Sequence, residues 1–359
     1  NGVLLVPATD YAASTGTSVV LVQGASVDDT LELLVHDIFS VADSVSAKDG
    51  GTFSGTIAAA GYSSSTAGTS NYIAGVNAGN SITAGGNFNV TVGDEAGTAL
   101  TTGDGNVAVG FEALATEDAD GSNTAIGYRA LKVLNAGAEG YNVAVGTDAG
   151  LSMTLGIQNT LVGNKAGDAL TDADFNVAVG RSSLTSDTLG SKSTAVGHGT
   201  LNTQNFTSAT DSFNTAVGYQ AGAAVTTGAS NTFVGALAGD ANTTGYENTA
   251  VGEGSLSACT EGFENTAIGH NSGAAITTGD NNTFVGNAAG QANTTANGNT
   301  AVGNAALASN TTGTNNVAVG RGALDANTTA DNNTAVGYNA LAANTEGFSN
   351  TAFGSRAGD

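Results

Sequence analysis

Few side chains in this sequence can react or ligate. There are three His (His36, His198 and His270), one Cys (Cys259), and 31 Asp and Glu against 8 Lys and Arg. His198 and His270 each follow the Gly that closes a recurring pentad, where other copies carry Tyr128, Tyr219 or Tyr338. Alternation with Tyr on a repeating surface is explained by a surface role before a ligand or general-base role, and His36 is isolated. Cys259 has no second Cys, so there is no disulfide framework and no Cys-based metal site. It occupies a place filled elsewhere by Leu100, Met153 or Ile276, which reads as small apolar packing rather than a nucleophile. Asp118-Ala119-Asp120-Gly121 and Asp172-Ala173-Asp174 offer carboxylates to a cation. The remaining ligands of an EF-hand loop are missing and the glycine-rich calcium-binding nonapeptide does not occur, so turn chemistry accounts for them better.

No phosphate-binding loop, paired-His zinc motif or dinucleotide fingerprint is present. A glycan-cleaving site needs two carboxylates about 5–9.5 Å apart in a groove, whereas the acidic residues here are scattered over turns and Trp is absent. The turn aromatics Tyr246, Phe263 and Phe348 can stack on sugar, but folding back over the turn explains them better. No catalytic, cofactor-binding or metal-ligating residue is assigned, no cofactor is implied, and the chain reads as non-enzymatic.

The 359 residues include 53 Gly and one Pro, with 11% charged and 40% apolar residues, mostly Ala and Val, and a net charge of −23. That balance repels phosphate backbones and anionic lipid, which argues against nucleic-acid binding. No run approaches the roughly 18–20 apolar residues that span a bilayer, so no membrane insertion is expected. The chain starts at Asn1 and stops partway through a repeat, and it reads as a piece of a longer one.

The dominant signal is a pentad, Asn-Thr-Ala-Val-Gly or a close variant, in sixteen copies beginning at 89, 106, 123, 142, 159, 176, 193, 214, 231, 248, 265, 282, 299, 316, 333 and 350. The spacing is 17 residues except for steps of 19 from 123 and 21 from 193. One strand plus a return path fits this period, which predicts an all-β parallel β-solenoid, or β-roll, over residues 89–359 with the last repeat truncated. At about 4.8 Å per coil, sixteen coils make a shaft of roughly 75 Å.

Strand alternation puts the second and fourth pentad positions on one face and the third on the other. The fourth is always Val, Ile or Phe and the second always Thr or Val, so this face is expected to line the coil interior. The third is Ala in twelve copies, the exceptions being Thr91, Leu161, Phe233 and Phe284. An outward strip of that kind is expected to pack against another copy of the chain. The invariant Gly supplies a sharp strand exit, and the Asn, replaced once by Ser193, forms a ladder from coil to coil. Counting the pentad's first residue as zero, every complete unit carries a large apolar residue at offset two, eight or eleven, as in Phe233, Leu114 and Met153. That exchange predicts one plug per layer, inside a chain or between chains.

Residues 1–42 read as a small antiparallel β-domain, with strand-like runs at 3–6, 18–22 and 30–35. Residues 43–88 read as a Gly/Ala/Ser-rich joint and degenerate coils. A short helix and joint are expected over about 38–57, and Asn71 to Gly75 is an imperfect pentad.

The unit Asn-Thr-Ala-Val-Gly-Tyr-Asn-Ala-Leu-Ala-Ala-Asn-Thr-Glu-Gly from Asn333 resembles repeats of bacteriophage tail fibres, including those that end in an endosialidase-type chaperone. It also resembles the heads of trimeric autotransporter adhesins, whose coils hold a related Val-Ala-Ile-Gly pentad. The segments 1–11, 16–21 and 30–33 look like a small β-domain of tail fibres, notably in phages of marine cyanobacteria. The resemblance implies a non-enzymatic homotrimeric fibre on the virion, outside the cell. Such a fibre joins other tail or baseplate proteins and extends a tip toward a host surface receptor such as a glycan. A bacterial trimeric surface adhesin is the alternative. An ice-binding solenoid fits less well, because Thr at the second position is followed by Val or Ile rather than a second Thr.

Overall fold

The computed structural model describes residues 66–359 and the two short strands Tyr11–Ala12 and Val20–Leu21. Those two strands pair antiparallel over two residues. The rest of the β-domain expected over 1–42, and the helix and joint expected over 38–57, lie outside the described residues.

Every pentad forms a three-residue strand at its second to fourth positions, and successive strands pair parallel and in register. The ladder has seventeen strands. It runs from Tyr72–Ala74, paired with Val90–Val92, to Thr351–Phe353, paired with Thr334–Val336. The imperfect pentad at Asn71 therefore contributes the first rung. The described residues form an all-β parallel β-solenoid without helices. In the long unit from Ser193, Thr210–Asp211 pairs parallel with Gly190–Ser191 as a separate two-residue ladder.

The faces of these strands are the reverse of the sequence expectation. The third-position residues Ala108, Ala216, Ala250 and Ala318 are fully buried, as are Leu161, Phe233 and Phe284. The second and fourth positions are half-buried or exposed, 40% at Ile268 within the stack and 82% at Phe353 on its last rung. The Ala strip thus faces the coil interior of its own chain, and Thr and Val face out. Alternation separates the two faces correctly, but hydrophobicity alone assigns their direction wrongly. In most coils the plug takes the interior volume, so a methyl group fills the strand side and the branched residues take the outside, where strand propensity still favours them; in the two coils at the start of the ladder Ile73 and Thr91 are buried on the strand side instead.

The plug is also inside one chain. Leu114, Leu131 and Leu324 at offset eight, and Leu100, Met153 and Ile276 at offset eleven, are all fully buried. Offset eight is a left-handed corner (φ 51° at Leu114, 56° at Gly239) and holds only Leu or Gly. Where it is Gly, the reason is space as well as φ. A Cβ on Gly239 would lie 2.5 Å from the Phe233 ring, and one on Gly290 2.5 Å from the Phe284 ring. Offset seven, which sequence reading missed, completes the wall with buried Ala, Ser or Thr. Ser183, Thr200 and Ser255 there return their hydroxyls to the backbone carbonyls of Gly180, Gly197 and Gly252. In a layer already filled by Leu324, Ala318→Leu should cost about 1–3 kcal/mol by overpacking, whereas the outward Val319→Thr should stay within about 0.5 kcal/mol. Urea unfolding followed by circular dichroism checks both.

The expected Asn ladder is present and buried. Asn248 donates its backbone N–H to Asn231 Oδ1 (3.0 Å) and its Nδ2 to the Gly262 carbonyl (2.7 Å), while its Oδ1 accepts the backbone N–H of Asn265 (3.0 Å). Each Asn thus ties its coil to the coil before, the coil after and its own far turn. Asn248→Ala strands the Gly262 carbonyl and the Asn265 N–H in a dry interior, for an expected loss of about 3 kcal/mol. A lower urea midpoint with an unchanged spectrum is the result to look for.

Candidate functional site

The largest regular surface is the outward face of the ladder. Strict register stacks like on like, so seven successive rungs from Thr194 to Thr300 present Thr at the second position beside Val or Ile at the fourth. No copy of the pentad carries a charge at either outward position, in a chain of net charge −23. The face can bury apolar surface and offer regularly spaced hydroxyls; it holds no acid, base or nucleophile. Its strands leave through the pentad Gly at φ near 135°, where a Cβ on Gly320 would meet the next Gly carbonyl at 2.4 Å.

Beside each strand exit runs a row of mixed residues. Phe111 stacks on Tyr128 with ring centroids 5.5 Å apart, and His198 on Tyr219 at 5.6 Å. The Arg129 guanidinium lies 4.9 Å from the Tyr128 ring and ion-pairs with Asp148 at 2.9 Å. His198 also lies 3.3 Å from Arg181, and His270 Nδ1 lies 3.2 Å from Asn287 Nδ2. Both His sit in the surface row that the sequence indicates, each with neighbours one coil away. His36 lies outside the described residues. Of the turn aromatics, Tyr246 and Phe263 stack on each other with nearly parallel rings 4.9 Å apart, and Phe348 is exposed.

Cys259 is fully buried at its plug-side position, and burial pushes its thiol up to about 12, which keeps it protonated and a poor nucleophile. The two acidic turns differ. In the second, Asp174 accepts the Ile157 N–H and caps a turn, as turn chemistry implies. In the first, Asp118 and Asp120 are joined by Glu117, which sequence reading did not single out, and carboxylate oxygens of all three lie within 4.8 Å of one another. The signal was there: Glu117 stands at offset eleven, a position buried in every described coil up to Asn327.

Burial, with the Asp120 charge beside it, pushes the Glu117 carboxyl up to about 7. The charged form is the disfavoured one in the folded chain, so the acid is neutral in both states below pH 4.5 and costs nothing there. Stability then falls as pH rises from 4.5 to about 7, by up to about 3 kcal/mol, and levels off above that. Urea midpoints in chelator-containing buffer should show this slope in the native chain, and Glu117→Gln should flatten it. Compared with known proteins, the chain matches no family model, no curated sequence and no solved structure.

Proposed function

We propose that this chain is the shaft of a homotrimeric bacteriophage tail fibre, non-enzymatic, carrying a receptor-binding tip away from the virion toward the host surface. The observation that carries this reading is the uncharged Thr/Val/Ile face, continuous along the stacked coils of an otherwise acidic chain. An exposed apolar strip of that length favours burial against other chains. In-register coils supply length by repetition, and the resemblance of the repeat unit supplies the owner. The trimer contact moves, however: because Ala, Leu and Phe are buried within one chain, the outward Val and Ile must make it. A trimeric bacterial surface adhesin would use the same face.

Light scattering should give 104.1 kDa, three times 34.7 kDa. Val251→Lys combined with Ile268→Lys and Val285→Lys should return the mass to 34.7 kDa with the circular dichroism spectrum unchanged. A native chain already at 34.7 kDa, with its face open to water, would sink the trimeric reading.

One observation favours a second reading. The outward Thr row is in register and free of charge, a feature that an ice-binding solenoid also needs. Thermal hysteresis from a monomeric chain, abolished by the same three Lys substitutions, would establish it in place of the fibre.

A further inference from the structure

The first acidic turn contains a buried carboxylate with no side-chain partner. Glu117 is fully buried, and neither of its carboxylate oxygens accepts a hydrogen bond. The backbone of Ala136 and Asp120 lies close enough to ease its charge only in part. Asp187 shows how the fold treats an acid at the equivalent place in another coil. There Oδ1 accepts the N–H groups of Gly190 and Phe206, both at 3.0 Å, and Oδ2 accepts Gln204 Nε2 at 2.5 Å. Three donors answer that charge in good geometry, whereas Glu117 has only the nearby backbone of Ala136 and Asp120. An unanswered buried carboxylate either stays neutral or meets a cation.

No described basic side chain fills the role. Lys132 ion-pairs with Glu112 at 2.7 Å, and Arg129 with Asp148. The turn itself is fixed from both sides. The Asp118 carbonyl accepts the Thr101 N–H at 2.6 Å, and the Asp120 carbonyl accepts Nδ2 of the ladder residue Asn106 at 3.0 Å. The acidic side chains are therefore presented by a backbone that the Asn ladder and the coil before it hold in place.

We propose that Glu117, Asp118 and Asp120 form a binding site for one divalent hard cation of the calcium type. Oxygens that share a calcium at about 2.3–2.6 Å lie no more than about 5 Å apart, which the 4.8 Å limit on these three satisfies. Calcium suits the site better than magnesium. Magnesium sheds its water reluctantly and demands near-octahedral geometry, while a buried Glu must replace water outright. Asp118 is exposed and Asp120 half-buried, so the remaining ligands come from water on the open side. The bound ion would pin the turn next to the 19-residue unit from Asn123 and act as a local clamp on the stack.

With so many surface carboxylates, weak calcium binding elsewhere is expected, so the test is a difference between variants. Calcium chloride is titrated into the chelator-stripped full chain at pH 7.5 by calorimetry. One site per chain should stand out from the weak background, unchanged in Glu261→Gln, whose side chain is exposed in a distant coil. Glu117→Gln should weaken that site at least tenfold. The double variant Asp118→Asn with Asp120→Asn, which leaves the interior untouched, should do the same. Magnesium chloride should compete only at much higher concentration. Circular dichroism on each variant separates loss of a ligand from loss of fold. Identical titrations for the native chain and the double variant would overturn the proposal and leave Glu117 as a buried neutral acid.

Discussion

The buried asparagine at the head of each coil is the contact on which the rest depends. Backbone hydrogen bonds from coil to coil extend beyond the three-residue strand, as in the row Thr226, Thr243, Thr260 and Thr277, yet further turn carbonyls and N–H groups point inward without a backbone partner. In an unbroken copy one side chain answers three of them, as Asn248 does with Asn231, Gly262 and Asn265. Dry backbone groups must be paired, so the residue at this place must be an amide of this length. The exception shows the constraint. Ser193 is too short to reach the far turn, and its unit is the 21-residue one. A network takes over there. Ser193 Oγ meets Ser212 at 2.5 Å and accepts from Gln204 at 3.0 Å, while Asn214 Nδ2 donates to Gln204 Oε1 at 2.9 Å. The extra residues bring in Ser212 and accommodate that substitution.

Given that frame, the interior volume of each layer sets the rest of the pattern. Most coils bury one large side chain, and where it comes from shapes its neighbours; Leu131 with Leu134, and Leu161 with Leu170, are two to a coil. Phe233 forces Gly at offset eight, while Leu at offset eight is joined at offset eleven mostly by a small or polar group such as Cys259, Asn310 or Glu117. The polar members are met to different degrees. Asn327 donates to Asn310 Oδ1 and to the Ala330 carbonyl, Asp187 is answered by three donors, Asn242 leaves its amide unpaired, and Glu117 has only the nearby backbone of Ala136 and Asp120. The candidate cation site is in this sense a by-product of the packing rule: it arises where the plug sits at offset eight and the freed inward position carries a charge.

Period, register, strand position and the Asn ladder were all legible in the sequence, because each repeats identically and each has one physical cause. The direction of the strand faces was not. Val and Ile outrank Ala in apolarity, and a rule that sends the more apolar face inward fails in coils where the plug already takes the interior volume. Ala250 inside and Val251 outside is a decision made by volume. The plug exchange among offsets two, eight and eleven was legible as a rule, but its place within one chain needed the left-handed corner at offset eight, which side-chain type does not reveal for Leu114 or Leu324. Asp118 and Asp120 were legible as possible ligands, whereas Glu117 was hidden because its inward direction follows from the coil geometry and not from its own neighbours.

Turning the strand faces over changes what association between chains has to do. Each coil fills and closes its own core, so a partner chain is not needed to bury Ala, Leu or Phe. What remains for a partner is a face whose two outward positions avoid charge in every copy, while Asp and Glu are spread over the turns. Repulsion at net charge −23 opposes approach through any surface that displays those turns. The uncharged face is where that repulsion is weakest and where apolar burial is available. A fibre shaft needs this combination: cores that fold independently of assembly, one direction in which chains can meet, and acidic flanks that discourage further lateral growth.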